Sequence, residues 1–124
     1  MARARTTGDT GRRGEAAAAA FLGDLGFRIV ARNLRTRAGE VDLLVRRRRL
    51  YVAVEVKTRR SDPAPEQAVS TSQLARLEQV LVRLAPHLRP APRQLRVDVV
   101  AVRWTASAPP EVRHFPGQEW PAMP

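Results

Sequence analysis

Gly39-Glu-Val-Asp-Leu-Leu-Val-Arg-Arg-Arg-Arg-Leu-Tyr-Val-Ala-Val-Glu-Val-Lys57 alternates side-chain character on both sides of a four-arginine link. Period-two patterning over Glu40 to Val45 and Leu50 to Lys57 argues for two strands, with Arg46 to Arg49 joining them. Val41, Leu43 and Val45 share one face of the first strand, and Val52, Val54 and Val56 one face of the second. The opposite faces hold Glu40, Asp42 and Leu44, then Tyr51, Ala53, Glu55 and Lys57. Two positions apart on one face, Glu55 and Lys57 lie about 7 Å from each other along the backbone. If the arginine link closes a hairpin, Asp42 comes to the neighbouring strand beside that pair.

Lys57 is the only lysine among 22 basic residues. Arginine is a permanently charged planar fork, whereas lysine is a compact ammonium that can be desolvated and aimed at one oxygen. A site that needs an ammonium resists replacement by arginine, so Glu55 and Lys57 are the expected centre of the chemistry.

Outward from this pair, Glu15 to Leu25 is rich in helix formers, and Gly26 suits a left-handed cap. At helical spacing Ala18, Phe21, Leu22 and Leu25 form an inward stripe, with Glu15 on the same side. Phe27 to Leu34 alternates as a strand, and Arg35 to Gly39 reads as a turn. Ser61-Asp-Pro-Ala-Pro65 is a loop. A second helix starts near Thr71, with Gln73 in its first turn, carries Leu74, Leu77, Leu81 and Leu84 inward, and stops at Pro86. Leu95 to Val102 is a last, valine-rich strand. The pattern predicts an α/β chain with a central sheet of about four strands flanked by helices. Its parts are a disordered basic arm over 1–11, one domain over 12–104, and a proline-rich, weakly ordered tail over 105–124.

With 124 residues the chain is one domain. It has no cysteine, which removes disulfides and thiolate metal sites and fits a cytoplasmic location. No segment has the apolar length of a signal peptide or a membrane span, so no membrane partner is expected. A formal net charge of +10 favours polyanionic partners, nucleic acid first.

Asp42 and Glu55 offer hard oxygen ligands on a rigid sheet, which suits Mg²⁺ or Mn²⁺. A bound ion would neutralise a phosphate and lower the pKa of a water, and Lys57 would hold charge building on the phosphate. Glu15, looking toward the core, is a further carboxylate placed to meet Asp42, Glu55 and Lys57. Arg46, Arg47, Arg48 and Arg49, with Arg59 and Arg60, are candidate grips for a nucleic-acid backbone. Tyr51 and Trp104 read as packing residues, and Asp98 as a strand residue paired with an arginine. His87 and His114 have no partner at ligand spacing.

Gly14-Glu15-Ala, Ala31-Arg-Asn33, Gly39-Glu-Val-Asp-Leu-Leu44 and Val54-Glu-Val-Lys-Thr-Arg-Arg60 resemble the YraN-like family of small bacterial proteins. Ala68-Val69 and Arg96-Val-Asp-Val-Val-Ala-Val102 extend the resemblance, which spans roughly residues 11 to 103. That family is grouped with the PD-(D/E)XK nucleases, so the resemblance implies a restriction endonuclease-like core. It also implies that Asp42 and Glu55 are the metal-binding acids, Lys57 the motif's lysine, Glu15 the helix carboxylate and Glu40 a further acid. Gln73 stands where such proteins usually have a lysine, and brings no charge.

The leading expectation is a Mg²⁺-dependent phosphodiesterase acting on DNA or RNA, with a homodimer suited to paired cuts. A second is a nucleic-acid-binding module whose site does no chemistry and which acts with partner proteins. A third is an interaction protein without nucleic acid, its arginine reflecting composition.

Overall fold

The computed structural model describes residues 2–59, 70–105 and 108–117. These form helix α1 (Ala2–Asp24), strands β1 (Arg28–Thr36), β2 (Gly39–Arg47) and β3 (Leu50–Arg59), helix α2 (Thr71–Leu84), and strands β4 (Gln94–Thr105) and β5 (Ala108–Phe115). The strands make one sheet in chain order, parallel between β3 and β4 and antiparallel elsewhere. A parallel pair needs a crossover, and α2 lies within the connection that supplies it.

Each helix closes one face of the sheet. Ala18 and Leu22 of α1 pack on Leu43, Val45, Val52, Val54, Val100 and Val102. On the other face Leu74, Leu77, Val80 and Leu81 of α2 meet Val41, Leu44, Ala53, Val97 and Val99. Each fully buried aliphatic side chain stabilises by about 1.5–3 kcal/mol, so packing rather than intrinsic propensity holds α2 down. Ser70 caps α2, its hydroxyl accepting the Gln73 N–H at 3.2 Å.

The α/β class and the two flanking helices agree with the sequence, but the sheet has five strands rather than about four. β5 lies inside the segment expected to be a weakly ordered tail. It contains Pro109 and Pro110, residues that cannot donate to a ladder, and it forms the sheet's outer edge, where proline is tolerated. At the other end, α1 begins at Ala2, so helical backbone occupies the stretch expected to be a disordered arm. Once a helix is nucleated, extension costs little per residue.

Three smaller differences concern facing. Leu25, assigned to the inward stripe, is 42% exposed, because the helix has ended at Asp24 and Gly26 turns the chain with φ +93. A register shift between Ile29 and Ala31 breaks the alternation of β1, so Ile29 packs toward α1 and Ala31 toward α2. Val41 packs with the α2 cluster rather than beside Leu43 and Val45. The Ser61 to Pro65 loop and Arg60 lie outside the described residues. Among the described residues no helix is long and apolar enough to cross a membrane.

Candidate functional site

β2 and β3 pair from Arg47↔Leu50 to Leu43↔Val54 and then part, while β3 stays paired with β4 as far as Arg59↔Arg103. Beyond Val54, the β2 side of β3 is therefore an open backbone edge. Asp42 sits at the mouth of this fork and its Oδ2 accepts the Val56 N–H at 2.8 Å. A carboxylate thus replaces the strand partner that β2 no longer offers, and the amide avoids being stranded. In a strand the N–H and C=O of one residue point to the same side, so the Val56 carbonyl faces the fork as well.

Glu55, 8% exposed, stands across the fork from Asp42, close enough that each carboxyl shifts the other. Lys57 Nζ lies 3.3 Å from Glu55 Oε2, and Gln73 Nε2 donates to the same oxygen at 2.7 Å. Burial and then the Asp42 charge push the Glu55 carboxyl up to about 7, against the opposing pull of Lys57. Burial likewise raises Asp42, partly offset by the Val56 N–H and Lys57. Two acids in contact cannot both ionise freely, so the pair retains a proton toward neutral pH.

Gly39, Glu40, Asp42, Glu55, Gln73, Arg76 and Leu77 line a cleft of about 370 Å³ over this pair. Its rim is the β1–β2 turn, where the Thr36 hydroxyl accepts the Ala38 and Gly39 N–H groups at 3.1 Å each and donates to the Gly39 carbonyl at 2.8 Å.

α1 meets the open part of β3 at Gly14, where any Cβ would overlap Thr58 Oγ1. This close approach brings in Glu15. Its carboxyl is raised by burial and by the Asp42 charge, with an Asn33 hydrogen bond and Arg32 opposing. Asn33 itself takes a left-handed φ of 50.

The structure therefore brings Asp42, Glu55, Lys57 and Gln73 together, with Glu15 near enough to feel Asp42. Glu40 lines the cleft but is exposed, its Oε1 3.9 Å from Arg35 Nε. The arginine link does not join them. Arg46 lies four residues beyond Asp42, and Leu50 five before Glu55, which puts the hairpin tip about 13–17 Å away. There Arg46 donates to the Arg48 carbonyl, Arg47 to Leu25 while stacking on Phe27, and Arg49 to Ala91. Arg59 is exposed at the end of β3. Tyr51 is buried, its hydroxyl donating to the Pro90 carbonyl at 2.7 Å, and Trp104 packs on the α1-side core beneath Arg13.

Two features go beyond the sequence reading. Arg76 lines the cleft, a position signalled only by its three-residue step from Gln73. Asp98, fully buried, receives Arg96 through two bonds of 2.8 and 2.9 Å, the Gly117 N–H at 3.0 Å, and a 2.7 Å contact with His114 Nε2. The arginine pairing of Asp98 was foreseeable; the histidine comes from the strand that was not.

The model of a family described as "Uncharacterised protein family UPF0102" matches residues 14–102. The chain belongs to the UPF0102 family. A UPF0102 protein of Leifsonia xyli subsp. xyli is 39% identical over 111 residues, covering 88% of this chain and 94% of that one. One from Anaeromyxobacter dehalogenans is 43% identical over 108 residues, 86% and 80% of the two chains. One from Kineococcus radiotolerans is 38% identical over 120 residues, 94% and 98%. The UPF0102 match includes every acid of the fork together with Lys57 and Gln73, spans nearly the same residues as the YraN-like resemblance, and stops before β5.

The donor chemistry of the fork fits a hard divalent cation. Two neighbouring carboxyl groups whose burial disfavours their charged forms, beside a backbone carbonyl on the same edge, suit Mg²⁺, which binds through one or two carboxylates and keeps several waters. Among the described residues no three His, Cys, Asp or Glu side chains gather tightly enough to hold one ion. Glu15 lies close enough to the acidic pair for the Asp42 charge to raise its carboxyl.

Proposed function

We propose that the chain is a metal-dependent phosphodiesterase of PD-(D/E)XK type acting on nucleic acid, with DNA as the first candidate. The observation that carries this reading is the fork, where Asp42, held by the Val56 N–H, faces the buried Glu55, with Lys57 3.3 Å and Gln73 2.7 Å from one Glu55 oxygen. A net charge of +10 supports a polyanionic substrate.

Asp42 and Glu55 would hold Mg²⁺ or Mn²⁺, which when bound supplies a polarised phosphate oxygen and a more acidic water. The chain's own groups supply the rest. The Val56 N–H fixes one oxygen of Asp42 and leaves the other for the cleft. Gln73 fixes Glu55 Oε2. Lys57 presents an ammonium to the water and to charge gathering on the phosphoryl oxygens. Water oxygen bonds to phosphorus, the ester P–O bond breaks, and the departing oxygen takes a proton, giving a phosphate monoester and an alcohol. The expected result is that Asp42→Ala, Glu55→Ala and Lys57→Ala each abolish metal-dependent cleavage while the circular dichroism of the fold persists. Full cleavage by all three would overturn the proposal.

A second reading rests on Gln73, whose neutral amide occupies the Glu55 oxygen already held by Lys57. In that reading the polar network serves the fold, and the domain binds nucleic acid without cutting it. Binding would then be steep in salt and independent of metal.

A further inference from the structure

Arg76 is the one cation among the residues described as lining the cleft. It projects from α2 one turn after Gln73, so the two share a helix face. Its aliphatic stem lies against the β1–β2 turn, because a Cβ built on Gly39 would come within 3.0 Å of Arg76 Cδ and 3.2 Å of Cγ. That turn is itself braced by the three Thr36 hydrogen bonds. The stem is held, yet among the described residues the guanidinium has no hydrogen-bond or ion-pair partner.

The charges of the cleft make this position consequential. Its lining carries three acids, Glu40, Asp42 and Glu55, while Lys57 is engaged with Glu55 and Gln73 contributes no charge. A polyanion entering such a cleft meets repulsion unless a cation at its edge receives it. An arginine whose stem rests on the turn, and whose planar fork has no partner among the described residues, can take two phosphate oxygens at once.

We propose that Arg76 is a substrate-binding residue that grips a backbone phosphate next to the scissile one, supplying on the second turn of α2 the positive charge that Gln73 lacks on the first. The proposal rests on the nucleic-acid reading of the fork. Gly39 belongs to the same device, since a Cβ there would press on the Arg76 stem by a few tenths of an ångström and its φ of +151 disfavours any side chain.

The test is binding of a short fluorescein-labelled DNA duplex, and of its single strand, followed by anisotropy between about 50 and 200 mM salt without divalent metal. Wild type is compared with Arg76→Gln, Arg76→Lys and Arg93→Gln, the last removing an equal charge at an exposed position outside the cleft. Arg76→Gln is expected to weaken binding about tenfold and to lower the salt slope by about 0.7–0.9, with partial recovery in Arg76→Lys and a much smaller change in Arg93→Gln. Equal effects of Arg76→Gln and Arg93→Gln would overturn the role of Arg76 and leave the proposed function standing. No binding by wild type would overturn both. Binding that depends on Arg76 with no cleavage when Mg²⁺ is added would uphold Arg76 and remove the nuclease reading alone.

Discussion

Asp42 Oδ2 accepts the backbone N–H of Val56, and this 2.8 Å contact marks where β2 leaves β3. The same carboxylate therefore completes the sheet and faces the cleft, tying stability to the site. Asp42→Ala would orphan the amide and cost about 1–3 kcal/mol. Asp42→Asn keeps an acceptor oxygen and should cost clearly less. Urea midpoints of the two variants decide it, and equal losses would mean that the Val56 bond carries no stability.

The proton held by the acidic pair makes stability fall as pH rises. The Glu55 carboxyl is raised from 4.5 to about 7, so between those values the folded chain binds more protons than the unfolded one. Its unfavourable burial is avoided below that window and felt in full above it. Glu55→Gln should flatten the decline of melting temperature across this range, leaving only the smaller contribution of Asp42. A divalent cation should raise the wild-type melting temperature more at pH 8 than at pH 5, where protons compete for the same oxygens. Parallel pH profiles for wild type and Glu55→Gln would contradict this.

Asp98 behaves in the opposite sense. Although burial alone would raise it, His114 and Arg96 hold its carboxyl below the usual value of 3.8. Its contribution is present above about pH 4 and is lost as pH falls through the lowered folded value. Asp98→Asn leaves two basic side chains facing a neutral amide and should cost about 3–5 kcal/mol at neutral pH. Denaturant unfolding across pH 3 to 7 checks both points, since the variant should lose the wild-type dependence near the acid end.

Gly14 predicts a coupled pair. Gly14→Ala would drive its Cβ into Thr58 Oγ1, with overpacking worth about 1–3 kcal/mol, and would shift α1 away from β3. Thr58→Ala removes that oxygen, so the double variant should lose less than the sum of the two singles. Strict additivity in urea unfolding would show that the approach of α1 to β3 is not constrained there.

Glu55 and Lys57 were legible in the sequence because period two holds along β3 and a lone lysine among arginines is a compositional signal, whereas Asp42 followed from the hairpin, the alternation of β2 failing at Val41. Gln73 was legible as a first-turn residue of a strongly amphipathic helix. The distance of Arg46 to Arg49 from the site could not be read, because proximity in sequence to both strands is proximity to their closed end, whereas the site lies at the end that opens. The inversion within β1 follows a register shift that alternation does not reveal. β5 was hidden by Pro109 and Pro110, whose signal is the same in an edge strand and in an extended tail. Arg76 was hidden among many arginines and emerged only when its stem was found on Gly39.

The most direct test is incubation of wild type and Glu55→Ala with duplex, single-stranded, flap and four-way-junction DNA and with RNA, in Mg²⁺ or Mn²⁺ and in EDTA. The account predicts that wild type cuts at least one substrate only with metal, and that the cutting disappears in Glu55→Ala. Cutting that survives in EDTA or in the variant, or no cutting of any substrate by wild type, would contradict it.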